Sequence, residues 1–215
     1  MDPQSIERKS MEIIEDELRA RGLLNSIPRD RLHIVKRVIH ATADFDFAET
    51  LAFSDNVLEA ASRVVEKGSA LVTDTNMIAA GINKKALVAC GGSVRCYMSE
   101  PETEQLAKER GVTRAVVSME RAAADFPGAV YVVGNAPTAL LRICELTRAG
   151  RMKPALVIGV PVGFVNVVES KEALIEMAGV TSGTKTPYIV ANGLKGGSTV
   201  AAAIVNALLY GPKRD

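Results

Sequence analysis

The chain has no tryptophan, two histidines, three cysteines, and an aromatic content of 4%. Cys90, Cys96 and Cys144 are odd in number and form no C-x-x-C pair, which argues against a disulfide framework and a cysteine metal site and makes each a small core residue. Two histidines seven residues apart, His33 and His40, do not complete a metal-ligand set either, so no metal is expected. A formal net charge of +1 gives no basic face for nucleic acid as a main partner. Met1 to Ser10 lacks the apolar segment of a signal peptide. The longest apolar run, Ala155 to Val168, is too short to span a bilayer and is broken by Gly159, Pro161, Gly163 and Asn166. A reduced, cytoplasmic setting with no membrane contact fits these absences.

Nucleotide and hydrolase signatures are missing as well. No G-x-G-x-x-G follows the first candidate strand and no G-x-S-x-G elbow occurs. Gly193-Leu194-Lys195-Gly196-Gly197-Ser198-Thr199 only imitates a phosphate-binding loop, because two glycines separate Lys195 from the hydroxyl residue. No Cys/His nucleophile signature appears.

What is present is an ordinary folded composition, 47% hydrophobic and 24% charged over 215 residues, enough for one domain spanning 1–215. Residues 1–68 read as helices: Ser5 to Gly22, a second starting near Pro28 and Asp30, and a third capped by Ser54 and stopped at Gly68. From 69 to 215 short aliphatic runs alternate with helical patterns, the texture of a doubly wound sheet buried on both faces. The five candidate strands are Ala70 to Thr73, Ala86 to Cys90, Ala129 to Val133, Ala155 to Val160 and Pro187 to Ala191. Right-handed crossovers then give a three-layer α/β/α sandwich with a parallel sheet and an N-terminal helical extension.

Ligands of such sheets bind beyond the carboxyl ends of the strands. The turns there are rich in small residues: Asp74-Thr75-Asn76, Gly91-Gly92-Ser93-Val94-Arg95, Gly134-Asn135-Ala136-Pro137-Thr138, Pro161-Val162-Gly163-Phe164, and Asn192 to Ser198. Asn135 and Ser198 are expected to cap the helices that follow, leaving free N–H groups for carboxylates or phosphates. Arg37, Arg95, Arg114 and Lys195 supply local positive charge. On the helix carrying Lys36 to Asp44, Leu32, Val35, Val38 and Ile39 fall on one side, while His33, Lys36, Arg37 and His40 fall on the other. His40 is the acid/base candidate, because histidine exchanges its proton near neutral pH.

Several stretches in order resemble the precorrin-8X methylmutase family, which includes cobalt-precorrin-8 methylmutases: Ser10 to Ile14, Arg37 to Ala41, Asp74 to Met77, Gly134 to Leu140, Gly159 to Val165 with Glu169-Ser170-Lys171, and Lys195 to Ser198. The resemblance covers nearly the whole chain. It implies a flavodoxin-like five-stranded parallel sheet, a homodimer with shared active sites, and a cofactor-independent isomerisation in vitamin B12 biosynthesis. In that reaction a methyl group moves from C11 to C12 of a tetrapyrrole rich in peripheral carboxylates. His40 matches the family's catalytic histidine, and Ser10 and Arg37 match substrate-contacting positions. Arg95, Arg114, Asn135, Lys195, Gly196, Gly197 and Ser198 complete the expected substrate-binding set. Leu194 departs from the pattern, since a basic residue is expected there. The competing readings are a non-catalytic corrinoid-binding module, whose Asp-x-His-x-x-Gly setting His40 does not share, and a nucleotide-dependent α/β enzyme, which has no phosphate motif to stand on.

Overall fold

The computed structural model describes residues 2–180 and 186–211. The N-terminal part runs through α1 (Pro3–Ala20), a 3-10 turn (Leu24–Ser26), α2 (Leu32–Thr42) and α3 (Phe47–Thr50) to β1 (Leu51–Phe53) and α4 (Val57–Lys67). The alternating part follows as β2 (Ala70–Thr73), α5 (Asn76–Gly81), α6 (Lys84–Ala89), β3 (Ser93–Arg95), α7 (Pro101–Arg110) and α8 (Arg114–Asp125). It ends with β4 (Val130–Val133), α9 (Pro137–Arg148), β5 (Leu156–Gly159), α10 (Val167–Val180), β6 (Tyr188–Ala191) and α11 (Ser198–Tyr210).

The sheet has the order β1-β6-β5-β4-β2-β3, with β1 antiparallel to β6 and every other pair parallel. Leaving β1 aside, the parallel strands have the flavodoxin-like order 2-1-3-4-5 and reverse direction of winding between β2 and β4. Strand alternation sorts the core into two layers. Leu71, Val130, Val132, Leu156, Ile158 and Ile189 face α2, α5 and α11, while Val72, Tyr131, Val133, Val157 and Val190 face α8, α9 and α10. Each fully buried aliphatic side chain of this kind contributes about 1.5–3 kcal/mol.

The differences from what the sequence predicts concern short elements. Ala86 to Cys90 is not a strand: its first four residues end α6, whose N-cap Asn83 accepts the Ala86 N–H at 3.0 Å, and Leu87 is the one fully buried residue of that helix. The second parallel strand is the polar edge segment Ser93–Arg95, so Gly91-Gly92 forms the turn that enters β3 rather than a loop at its carboxyl end. The sixth strand, β1, adds an antiparallel margin with Leu51 opposite Ala191. Ser54 does not cap α4. Its N–H donates to the Tyr188 carbonyl at 3.0 Å and its hydroxyl accepts the Tyr188 N–H at 2.9 Å, which extends the β1–β6 pairing. The three cysteines are free, and burial pushes the Cys144 thiol up to about 12.

Candidate active site at the carboxyl edge of the sheet

The apolar face of α2, made by Ile34, Val35, Val38 and Ile39, is buried against the core, and the helix packs along α11. Two cations of its polar face are answered by neighbours. Lys36 donates to Glu15 and Arg37 to Glu7, both at 2.6 Å and both acceptors on α1. The Arg37 guanidinium also lies 5.4 Å from the Tyr210 ring centroid. Burial lowers the pKa of His33 against the opposing pull of Asp30. His40 is different. It is exposed, and among the described residues its ring has no hydrogen-bond or ionic partner.

Two residues beyond His40 the helix stops. The Thr42 hydroxyl donates to the Val38 carbonyl, and Ala43 closes the turn in the left-handed region at φ 55°, its N–H donating to Ile39. The chain then presents Asp44 and Asp46, and Lys195 donates to both, at 2.7 and 2.6 Å. Lys195 holds the Asp44 carboxyl below its ordinary range, and the two aspartates raise the Lys195 ammonium in return. The turn after β6 is thereby fastened to the end of the helix that carries His40.

The remaining turns interlock. The Gly197 N–H donates to the Val160 carbonyl at 2.9 Å, and the Ser198 and Thr75 hydroxyls meet at 3.0 Å. Gly196 leaves no room for a side chain, because a Cβ there would stand 2.7 Å from the Pro161 carbonyl oxygen and nearer still to that of Val160. Two buried charges hold the assembly. Lys171, 1% exposed, donates to the carbonyls of Gly193 and Lys195 at 2.7 and 2.8 Å, and burial lowers its ammonium to about 8. Asp74, with no exposed surface, accepts the N–H groups of Gly134, Asn135 and Ala136 at 2.9, 2.9 and 2.7 Å. Burial pushes its carboxyl above the ordinary range, and those three donors offset that only in part.

This arrangement corrects both expected caps and, before α9, the expected free N–H groups. The donors of the Gly134–Ala136 turn are taken by Asp74, the N-cap position of α9 is Ala136, and the exposed Asn135 contributes its backbone rather than a side-chain cap. Ser198 is the first residue of α11, the N-cap position is Gly197, and the Ser198 hydroxyl goes to Thr75.

Of the expected site residues, Lys195, Gly196, Gly197 and Ser198 share one turn beside the end of the His40 helix. Ser10 lies on α1 one turn from Glu7 and bonds the Ile6 carbonyl at 3.0 Å, and Arg37 sits at the α1–α2 contact. Arg95 ends the edge strand β3, bonded to Glu100 at 2.6 Å and stacked on Tyr97. Arg114 is exposed at the start of α8, where Thr113 touches Thr138 of α9 at 3.1 Å. Arg37, Arg95 and Lys195 are therefore each partnered by an internal carboxylate rather than unpaired. Asp44 and Asp46 were absent from the expected set, and Lys171 and Asp74 figured only as parts of motifs. Lys171 did carry a signal, since it falls with Val167, Leu174 and Ala178 on the buried stripe of α10.

Around this edge an apolar rim is left open: Val162, Phe164 and Val165 after β5, Leu194 after β6, and Met77 at the start of α5, with Phe164 89% exposed. The Gly163 N–H, donating to the Leu194 carbonyl, ties the first two of these segments together.

Comparison with known proteins agrees over nearly the whole length. The sequence model described as precorrin-8X methylmutase matches residues 5–211. The cobalt-precorrin-8 methylmutase of Salmonella typhimurium is 44% identical across 97% of this chain and 95% of that protein. The precorrin-8X methylmutase of Pseudomonas aeruginosa is 40% identical across 96% and 95%. A solved precorrin-8X methyl mutase from Thermus thermophilus superposes with a TM-score of 0.84 at 37% identity, covering 96% of this chain and 95% of that one. This chain belongs to the precorrin-8X methylmutase family.

Proposed function

We propose that this protein is the isomerase of cobalamin biosynthesis that moves a methyl group from C11 to C12 of precorrin-8X or cobalt-precorrin-8, yielding hydrogenobyrinate or its cobalt form. The C11–methyl bond breaks as the C12–methyl bond forms, and no atom is gained or lost. Such a shift needs no nucleophile from the protein, only a substrate held in one tautomer and a group that gives and recovers a proton beside the migrating ring.

The observation that carries this reading is His40, exposed and unpartnered among the described residues while Lys36 and Arg37 of its helix face are engaged. His40 is the proton donor. The turn from Lys195 to Ser198 and the backbone around Asn135 form the adjoining wall, and the open rim of Val162, Phe164, Val165 and Leu194 suits the flat face of a conjugated macrocycle. Ser10, Arg37, Arg95 and Arg114 answer peripheral carboxylates, with Arg37 and Arg95 exchanging an internal carboxylate for one on the substrate. The protein works in the cytoplasm as a homodimer whose subunits complete each other's sites. Among the described residues no helix is long and apolar enough to cross a membrane.

Replacing His40 with Ala tests the assignment. Turnover, followed as the absorbance change of the extending corrin chromophore, is expected to fall about 100-fold or more, with melting temperature and product binding retained. Near-normal turnover would remove His40 from this role.

A further inference from the structure

Asp74 is a buried carboxylate whose oxygens both end on backbone N–H groups, those of Gly134, Asn135 and Ala136, and among the described residues no cationic side chain contributes to its surroundings. Three consecutive N–H groups converging at the start of a twelve-residue helix make a cradle for an anion. It lies between β2 and β4, where the strand order reverses and where open α/β sheets receive anionic ligands. In this chain the anion comes from within.

We propose that Asp74 is a positioning residue that acts as a built-in anion, filling the cradle of the β4–α9 turn and so fixing the wall against which the Lys195–Ser198 turn rests. The mechanical link is short. A Cβ added to Gly134 would stand 2.9 Å from the Gly197 carbonyl oxygen, so the two turns touch backbone to backbone. Thr75, next to Asp74, meets the Ser198 hydroxyl at 3.0 Å. A cradle that opened would therefore shift Gly197 and Ser198. With Asp74 in place the cradle has no vacancy for a ligand phosphate or carboxylate, and substrate carboxylates must be met elsewhere along the edge.

The test replaces the internal anion with an external one. In Asp74→Ala, amide hydrogen exchange at Gly134, Asn135 and Ala136 is expected to quicken about 100-fold, and sodium formate, small enough for the vacated space, should slow it again. Turnover should drop about ten-fold or more and recover in the same formate range, while chloride at equal ionic strength does neither. The activity arm rests on the methylmutase reading. The exchange arm needs no substrate, so it stands or falls independently of that reading. A folded Asp74→Ala protein that ignores formate, or that keeps wild-type exchange at these amides, overturns the proposal. Should Asp74→Ala not fold, Asp74→Asn keeps the shape and removes the charge. Exchange at Asn135 and Ala136 about ten-fold faster than in the wild type supports the built-in anion, and wild-type exchange overturns it.

Discussion

On the α1–α2 pair, Lys36 and Arg37 keep 16% and 19% of their side-chain surface and meet the carboxylates of Glu15 and Glu7. At the carboxyl edge of the sheet, Lys171 and Asp74 are buried and meet backbone carbonyls and N–H groups instead. Pairs of the first kind are worth up to about 1 kcal/mol each. Charges of the second kind cost several times that to bury, and removing one strands groups worth about 1–3 kcal/mol apiece. On the helices, charge pairing decides which side chain stays available, and the residue left over is His40. In the turns, buried charge decides the path of the backbone, to which Lys195, Gly196, Gly197 and Ser198 owe their positions.

Experiments on single residues can break that contrast. Among the lysines and arginines the largest effect is expected at Lys171. Lys171→Met leaves the Gly193 and Lys195 carbonyls without their donor, and kcat/KM should fall about ten-fold or more through loss of about 1–3 kcal/mol per carbonyl. Stability should change with pH in a defined direction. The folded ammonium is lowered to about 8, whereas an unfolded lysine titrates near about 10.4. Between these values the unfolded chain binds the extra proton, so the cost of burying Lys171 is full below pH 8 and fades as the pH rises, by at most about 3 kcal/mol. In chemical denaturation the wild type should gain on Lys171→Met across that window. A constant difference would mean that the charge on Lys171 is indifferent to burial.

A smaller effect is expected at Lys195. Lys195→Ala releases Asp44 and Asp46 from their shared cation and leaves two carboxylates beside the site. KM should rise about five-fold, the loss of one charged contact, with kcat little changed. An equal loss in kcat would move Lys195 from holding the substrate to holding His40. The smallest effect belongs to Arg37. Because Arg37 exchanges Glu7 for a carboxylate of the substrate, Arg37→Ala should raise KM about three-fold, while an unchanged KM with stability lowered by about 1 kcal/mol would leave it to Glu7 and Tyr210 alone.

The contrast also explains what could be read from the chain. β2, β4, β5 and β6 are aliphatic runs buried on both faces, and their spacing gave the three layers and the end of the sheet where the site lies. β1 and β3 are three residues each, too short for a period to show, and the Ala86–Ala89 segment carries apolar residues of which only Leu87 is fully buried. The polar face of α2 was visible, but its partners were not: Arg37 answers a carboxylate thirty positions earlier. Asp74 was equally opaque, because its donors lie some sixty positions further on and are backbone groups that no side-chain pattern announces.

The margins of the sheet carry one more implication. One edge is β1, three residues turned antiparallel, and the other is β3, three residues with Ser93 and Arg95 exposed. Edges this short, one of them charged, are poor templates for adding strands. The protein is thus guarded against end-to-end sheet growth.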